Sequence, residues 1–122
     1  MILADTTIWV DHLNHGDARL AQLLAGEQIG MHMFVVGELG LGTLPQWERV
    51  KFRLMKLPPV RTVGDQSVLT MIERRGLRGS GIGYVDAHLL ASCLMGNGIQ
   101  LWTRDTRLAK AAALLGVSAA TA

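Results

Sequence analysis

Four short apolar runs are spread along the chain: Met1–Ala4, Ile29–Met33, Val60–Val63 and Ile99–Thr103. They read as apolar runs rather than as alternating strands, the weakest being Val60–Val63. A strand with one wet face alternates apolar and polar residues, whereas a strand covered on both faces does not. The segments between the runs carry helical periodicity. Asp5-Thr6-Thr7 closes the first run and can cap a short helix through Leu13. Asp17 opens a helix with Leu20, Leu23 and Leu24 at i, i+3 and i+4, and Gly26 ends it. Phe34–Leu44 reads as a helix weakened by Gly37, Gly40 and Gly42, each costing about 1 kcal/mol against alanine and marking close backbone approach. Pro45 suits the first turn of a helix with an apolar stripe of Trp47, Val50, Leu54 and Leu57, stopped by Pro58-Pro59. Asp65 caps a helix through Arg75, and a loop with Gly76, Gly79, Gly81 and Gly83 leads into a helix to Met95. Asp105–Leu115 is the last helix, and Val117 can start an edge strand. Strands alternating with helices predict a single α/β domain over residues 1–122. The expected form is a three-layer α/β/α sandwich with a central parallel sheet of four to five strands.

Composition agrees and excludes several classes. At 122 residues the chain has one domain's length, with 49% hydrophobic and 18% charged residues. That balance excludes a disordered chain. Cys93 is the single cysteine, so no internal disulfide framework exists. The longest stretch free of Asp, Glu, Lys and Arg, Ala87–Thr103, is broken by Gly96-Asn97-Gly98 and reads as helix, turn and strand rather than a membrane span. Met1-Ile2-Leu3-Ala4-Asp5 has no basic segment of the kind that opens a signal peptide, so a cytoplasmic location with no membrane contact is expected. The net charge of +2 permits a nucleic-acid partner, and nine of the twelve basic residues are arginine, the better phosphate clamp.

The acidic residues carry the chemistry. Of ten, Asp11, Asp17, Glu27, Glu48, Asp65 and Glu73 have ordinary surroundings. Asp5 follows an apolar run, Glu38 lies within Phe34–Leu39, Asp86 lies within Gly83–Leu90, and Asp105 follows Leu101-Trp102-Thr103-Arg104. Asp5, Asp86 and Asp105 each stand where a helix begins, so each alone reads more readily as an N-cap than as a ligand. Together they differ. Parallel strands bring their carboxyl ends to one edge, where sites of open α/β sheets lie. Four carboxylates meeting there repel one another unless a cation sits between them, and oxygen-only ligands suit a hard divalent ion.

Asp5-Thr6-Thr7, Glu38, Gly81-Ile82-Gly83-Tyr84-Val85-Asp86-Ala87 and Trp102-Thr103-Arg104-Asp105, in this order and spacing, resemble the PIN domain, and more narrowly the VapC-type toxins of toxin–antitoxin pairs. The resemblance implies an α/β/α fold and a metal-dependent endoribonuclease using Mg²⁺ or Mn²⁺. Asp5, Glu38, Asp86 and Asp105 would be the catalytic and metal-binding residues. Thr6 and Thr103 would be second-rank holders of metal-bound water. It also implies an RNA substrate, a cognate VapB-like antitoxin and a homodimer. The competing expectation is a catalytically idle module of the same fold that binds RNA or protein.

Other features are secondary. Arg49, Arg53 and Lys56 form a basic stripe, and Arg104 and Arg107 flank Asp105. All five are candidates for RNA phosphates, while the first three read more readily as a solvated helix face. The Gly76–Gly83 loop lacks the Lys-Ser/Thr tail of a P-loop. An Asp-x-Asp phosphatase would need an acid where Thr7 stands. His88 is expected to pack away from Asp86, Cys93 to fill core space, and Trp9, Trp47 and Trp102 to anchor the core or an interface.

Overall fold

A computed structural model describes residues 1–119 of the chain. The elements run β1 (Ile2–Ala4), α1 (Thr6–His15), α2 (Ala18–Ala25), β2 (Ile29–Gly30), α3 (Met33–Gly40), α4 (Trp47–Leu54), α5 (Asp65–Arg74), α6 (Tyr84–Met95), β3 (Gln100–Trp102) and α7 (Thr106–Leu114). The strands form one parallel sheet in the order β2-β1-β3. Leu3 pairs with Gly30 on one side and with Leu101 on the other. Leu3 and Ala4 point to opposite faces of the sheet and are both fully buried, so β1 is covered on both faces. That is the burial the unalternated apolar runs demand.

The sheet is narrower than the sequence suggests. Among the described residues it has three strands, not four or five. The run Val60–Val63 contributes no strand. The chain there meets the sheet through a bridge between Met31 and Pro59, where the Met31 N–H donates to the Pro58 carbonyl and the Val60 N–H to that of Met31. Beyond Met31 the partner chain turns at His32 into α3, which leaves Val60–Val63 no strand to pair with. At the other edge, among the described residues, Val117 opens no strand, and a single bridge joins Leu101 to Ser118.

Local chemistry sets most boundaries. Asp17 caps α2 with Oδ1 accepting from the Leu20 N–H at 2.8 Å, and His12 Nδ1 accepts the Asp17 N–H at 3.0 Å, tying α1 to the start of α2. The cap of α3 is a histidine. His32 is fully buried, its Nδ1 accepts from the Phe34 N–H at 3.0 Å, and its Nε2 lies 3.1 Å from Ser92 Oγ. With Nδ1 accepting, the ring proton sits on Nε2 and donates to Ser92. Burial, then the nearby His88, pushes His32 down to about 4, so it stays neutral. Helix α3 stops at Gly40, short of Leu44, and Gly40 is the one glycine of its group in close approach. A Cβ there would lie 2.9 Å from Trp47 Cζ2, so the indole of α4 rests on the α3 backbone. Gly37 faces open space. Helix α4 begins at Trp47, two residues after Pro45, behind Gln46 in a left-handed conformation with φ 54°. Asp65 stands in the first turn of α5 rather than at its cap, which is Gly64.

The core joins both sides of the sheet. Leu3, Ile8, Leu20, Ile29, Leu89, Leu90, Leu101 and Leu108 are its largest fully buried aliphatic side chains. Trp9 and Trp102 are buried and Trp47 partly so. Cys93 is buried in apolar surroundings that push its thiol up to about 12, which leaves it inert. Among the described residues no helix is long and apolar enough to cross a membrane.

Candidate active site

All three strands end at the same edge of the sheet. Two of their continuations, Asp5 after β1 and Thr103-Arg104-Asp105 after β3, turn directly into helices α1 and α7. Asp5 and Asp105 are the N-caps of those helices. Asp105 Oδ1 accepts from the N–H groups of Arg107 at 2.9 Å and Leu108 at 3.1 Å. Asp5 is more tightly held and is only 3% exposed. Its Oδ1 accepts from the N–H groups of Thr7 at 3.0 Å and Ile8 at 3.3 Å and from the Thr7 hydroxyl. Its Oδ2 accepts from the Thr103 hydroxyl. Capping and site membership are therefore not alternatives for these two residues, since an N-cap carboxylate can present its charge at the sheet edge.

Glu38 enters from α3, one turn into the helix, where Thr6 Oγ1 donates to its Oε1 at 2.6 Å. Asp86 lies in the first turn of α6 rather than at its cap, and its Oδ2 accepts from the Gly83 N–H at 3.3 Å. The carboxyl of Asp86 is pushed above the ordinary carboxylate range. Burial is the first cause, opposed by the Gly83 N–H bond, and the charges of Asp5, Glu38 and Asp105 add to the upward push. Four acids spread over 101 positions of sequence thus share one electrostatic neighbourhood.

That donor set consists of carboxylate oxygens, the chemistry of a hard divalent cation, and the repulsion on Asp86 is what such a cation would relieve. The residues fit in donor type and charge. They are not drawn in to ligand distances: among the described residues no three His, Cys, Asp or Glu side chains stand together as a metal-ligand set.

The two threonines are placed beside the acids, each with its hydroxyl hydrogen given to a carboxylate, Thr6 to Glu38 and Thr103 to Asp5. Thr7 belongs to the same network, which its place in the sequence did not reveal. Its hydroxyl donates to Asp5 and accepts from the Arg104 N–H at 3.0 Å, lacing the start of α1 to the β3–α7 turn. Its only sequence signal is a hydroxyl two residues beyond a capping Asp.

The basic candidates separate. Arg104 does not present a free guanidinium: it pairs with Asp11 at 2.9 Å and Asp17 at 2.5 Å. Those two acids looked ordinary in sequence because their partner lies more than 80 residues away. Asp17 is held below the ordinary carboxylate range by the Leu20 N–H first and by Arg104 next. Lys56 sits over the Phe52 ring at 4.2 Å. Arg49 and Arg53 line a separate groove of about 360 Å³ with Trp9, His12 and Leu57. Arg107 is exposed beside Asp105. His88 is buried against Phe34 and Tyr84, and its Nε2 meets Asp65 at 3.1 Å, which also accepts from the Tyr84 hydroxyl at 2.6 Å.

Comparison with known proteins matches the PIN domain model to residues 2–114. The chain is also similar to Ribonuclease VapC32 of Mycobacterium tuberculosis, from strain CDC 1551 / Oshkosh and from strain ATCC 25618 / H37Rv. Each is 44% identical over 120 residues, covering 98% of this chain and 97% of the relative.

Proposed function

The chain belongs to the PIN domain family, and from that premise we propose that it is a divalent-metal-dependent endoribonuclease, the toxin of a toxin–antitoxin pair. The observation that carries this reading is the shared field of Asp5, Glu38, Asp86 and Asp105 at the carboxyl edge of the sheet. The similarity to relatives named as ribonucleases supports the substrate class. These four residues would hold Mg²⁺ or Mn²⁺. When bound, the cation lowers the pKa of water and offsets charge that builds on the scissile phosphate.

The chain's own residues do the positioning. Thr7 and Thr103 fix both oxygens of Asp5, and Thr6 fixes one oxygen of Glu38, so these two acids point at the site without searching rotamers. Asp86, whose carboxyl is pushed up by burial and then by the charges of Asp5, Glu38 and Asp105, would be held in its charged form by a cation. Water attacks the phosphorus in line and the bond from phosphorus to the 3′ oxygen breaks, leaving a 5′-phosphate and a 3′-hydroxyl. A VapB-like antitoxin and a homodimer are the protein partners that fit this role.

The test is cleavage of a labelled RNA by the wild-type chain and by Asp5→Asn and Asp86→Asn, with Mg²⁺, with Mn²⁺ and with EDTA. The expected result is cleavage by the wild type with metal, none with EDTA, and loss of at least about 100-fold in either variant with the fold retained. Full activity in EDTA would overturn the metal mechanism. RNA binding with no cleavage under any metal would favour the idle binding module.

A further inference from the structure

A second face of the same edge remains unused by the carboxylates. A cleft of about 490 Å³ lies between the glycine loop and α7, lined by Gly76, Leu77, Gly79, Ser80, Arg107, Lys110, Ala111 and Leu114. Its floor and one wall are apolar, with Leu77 and Ala111 buried and Leu114 72% exposed. Its charged lining is entirely basic. Arg107 and Lys110 are one helical turn apart on α7, about 5–6 Å between Cβ atoms. Neither forms an ion pair with a described residue.

The cleft is continuous with the acidic cluster along both of its borders. On α7, the Arg107 N–H donates to Asp105. On the loop, the Arg107 side chain lies against Gly81, where a Cβ would stand 2.9 Å from Arg107 Cδ, and Gly83 two residues on donates to Asp86. Gly81 has φ +84°, a conformation glycine takes without strain, and its lack of a Cβ leaves room for the arginine side chain.

We propose that this cleft is the subsite for the RNA strand flanking the cleaved bond. Arg107 and Lys110 take adjacent phosphates, and a ribose or base lies over Ala111 and Leu114. The inference rests on the ribonuclease reading for its location. The charge pattern argues for a polyanion and the apolar wall for a single strand, whose unstacked bases offer faces to cover. The pattern also assigns unequal tasks to the two arginines beside Asp105. Arg104 is held by Asp11 and Asp17, while Arg107 faces the cleft. With two point charges and few polar readers, the subsite supplies affinity rather than base specificity.

The test uses the full chain silenced by Asp5→Asn and a fluorescent single-stranded RNA decamer, with anisotropy measured across a salt series. Arg107→Ala/Lys110→Ala is compared with Lys51→Ala/Arg61→Ala, which removes the same charge from residues outside the cleft. The cleft pair is expected to weaken binding at least about tenfold at low salt. It is also expected to make the slope of log K against log salt shallower by about 1.4, two contacts at about 0.7 each. Lys110→Ala alone should give half the slope change and serves if the double variant misfolds. A slope change no larger than that of the control pair overturns the subsite. Cleavage by the otherwise wild-type chain is read in parallel. Cleavage with an unchanged slope sinks the cleft and leaves the ribonuclease, whereas a changed slope without cleavage does the reverse.

Discussion

Asp5 serves two roles that two substitutions can separate. Oδ1 of Asp5 accepts from the N–H groups of Thr7 and Ile8 and from the Thr7 hydroxyl, and Oδ2 from the Thr103 hydroxyl. Asp5→Asn keeps all three bonds to Oδ1. At the other position it presents an N–H₂, so Thr103 must accept where it donated. A hydroxyl has room to do so, since it already accepts the Asp105 N–H at 3.0 Å and has a second lone pair. The cost is one displaced hydroxyl proton, about 1 kcal/mol, and it is offset by weaker repulsion on Asp86. Asp5→Ala instead removes the cap, at about 1–2 kcal/mol, and strands two hydroxyls at about 1 kcal/mol each. Its total, about 3–4 kcal/mol, is a large share of the roughly 5–15 kcal/mol that holds a domain together. Urea unfolding followed by circular dichroism, beside the RNA cleavage assay, reads both roles. Asp5→Asn should unfold within about 1 kcal/mol of wild type and Asp5→Ala about 3 kcal/mol lower, with cleavage lost in both. Equal destabilisation by the two variants would refute the hydrogen-bond assignment. Cleavage surviving in Asp5→Asn would refute the need for its charge.

Other expectations follow from buried and paired groups. His32 binds a proton only near pH 4 when folded but near 6.5 when unfolded, so stability falls as pH drops through that window. His32→Asn keeps an acceptor for the Phe34 N–H, and its unfolding free energy between pH 7 and 4.5 should be flatter than wild type by about 2–3 kcal/mol; parallel profiles would exclude the histidine. Arg104→Ala should cost no more than about 1 kcal/mol, because the arginine is 41% exposed. By carbon-detected NMR titration the Asp17 carboxyl should rise in that variant yet stay below its ordinary range, because the Leu20 N–H remains; an unmoved Asp17 would deny the ion pair. Gly37→Ala should raise the unfolding free energy by about 0.5–1 kcal/mol, since a Cβ there meets open space in a helix. A loss at micromolar concentration would instead place another protein surface against α3.

The sequence by itself determined the architecture's kind and the identity of its acids. Unalternated runs such as Met1–Ala4 demand cover on both faces, and short-range rules place Asp5, Asp17 and Asp105 at helix starts, as the structure has them. The order of acids and turns carries the family resemblance. Tertiary structure alone decided which groups meet. Whether Val60–Val63 joins the sheet depends on what lies beside it, and it does not, because the segment beyond Met31 turns into α3. The pairing of Arg104 with Asp11 and Asp17, the lacing of Thr7 to the β3–α7 turn, the burial of His32 beside Ser92 and the basic cleft beneath the glycine loop all join residues distant in sequence. Periodicity reports which face of an element is apolar. It is silent about which polar atom on another element arrives within 3 Å, because that distance is set by how the helices pack around the sheet.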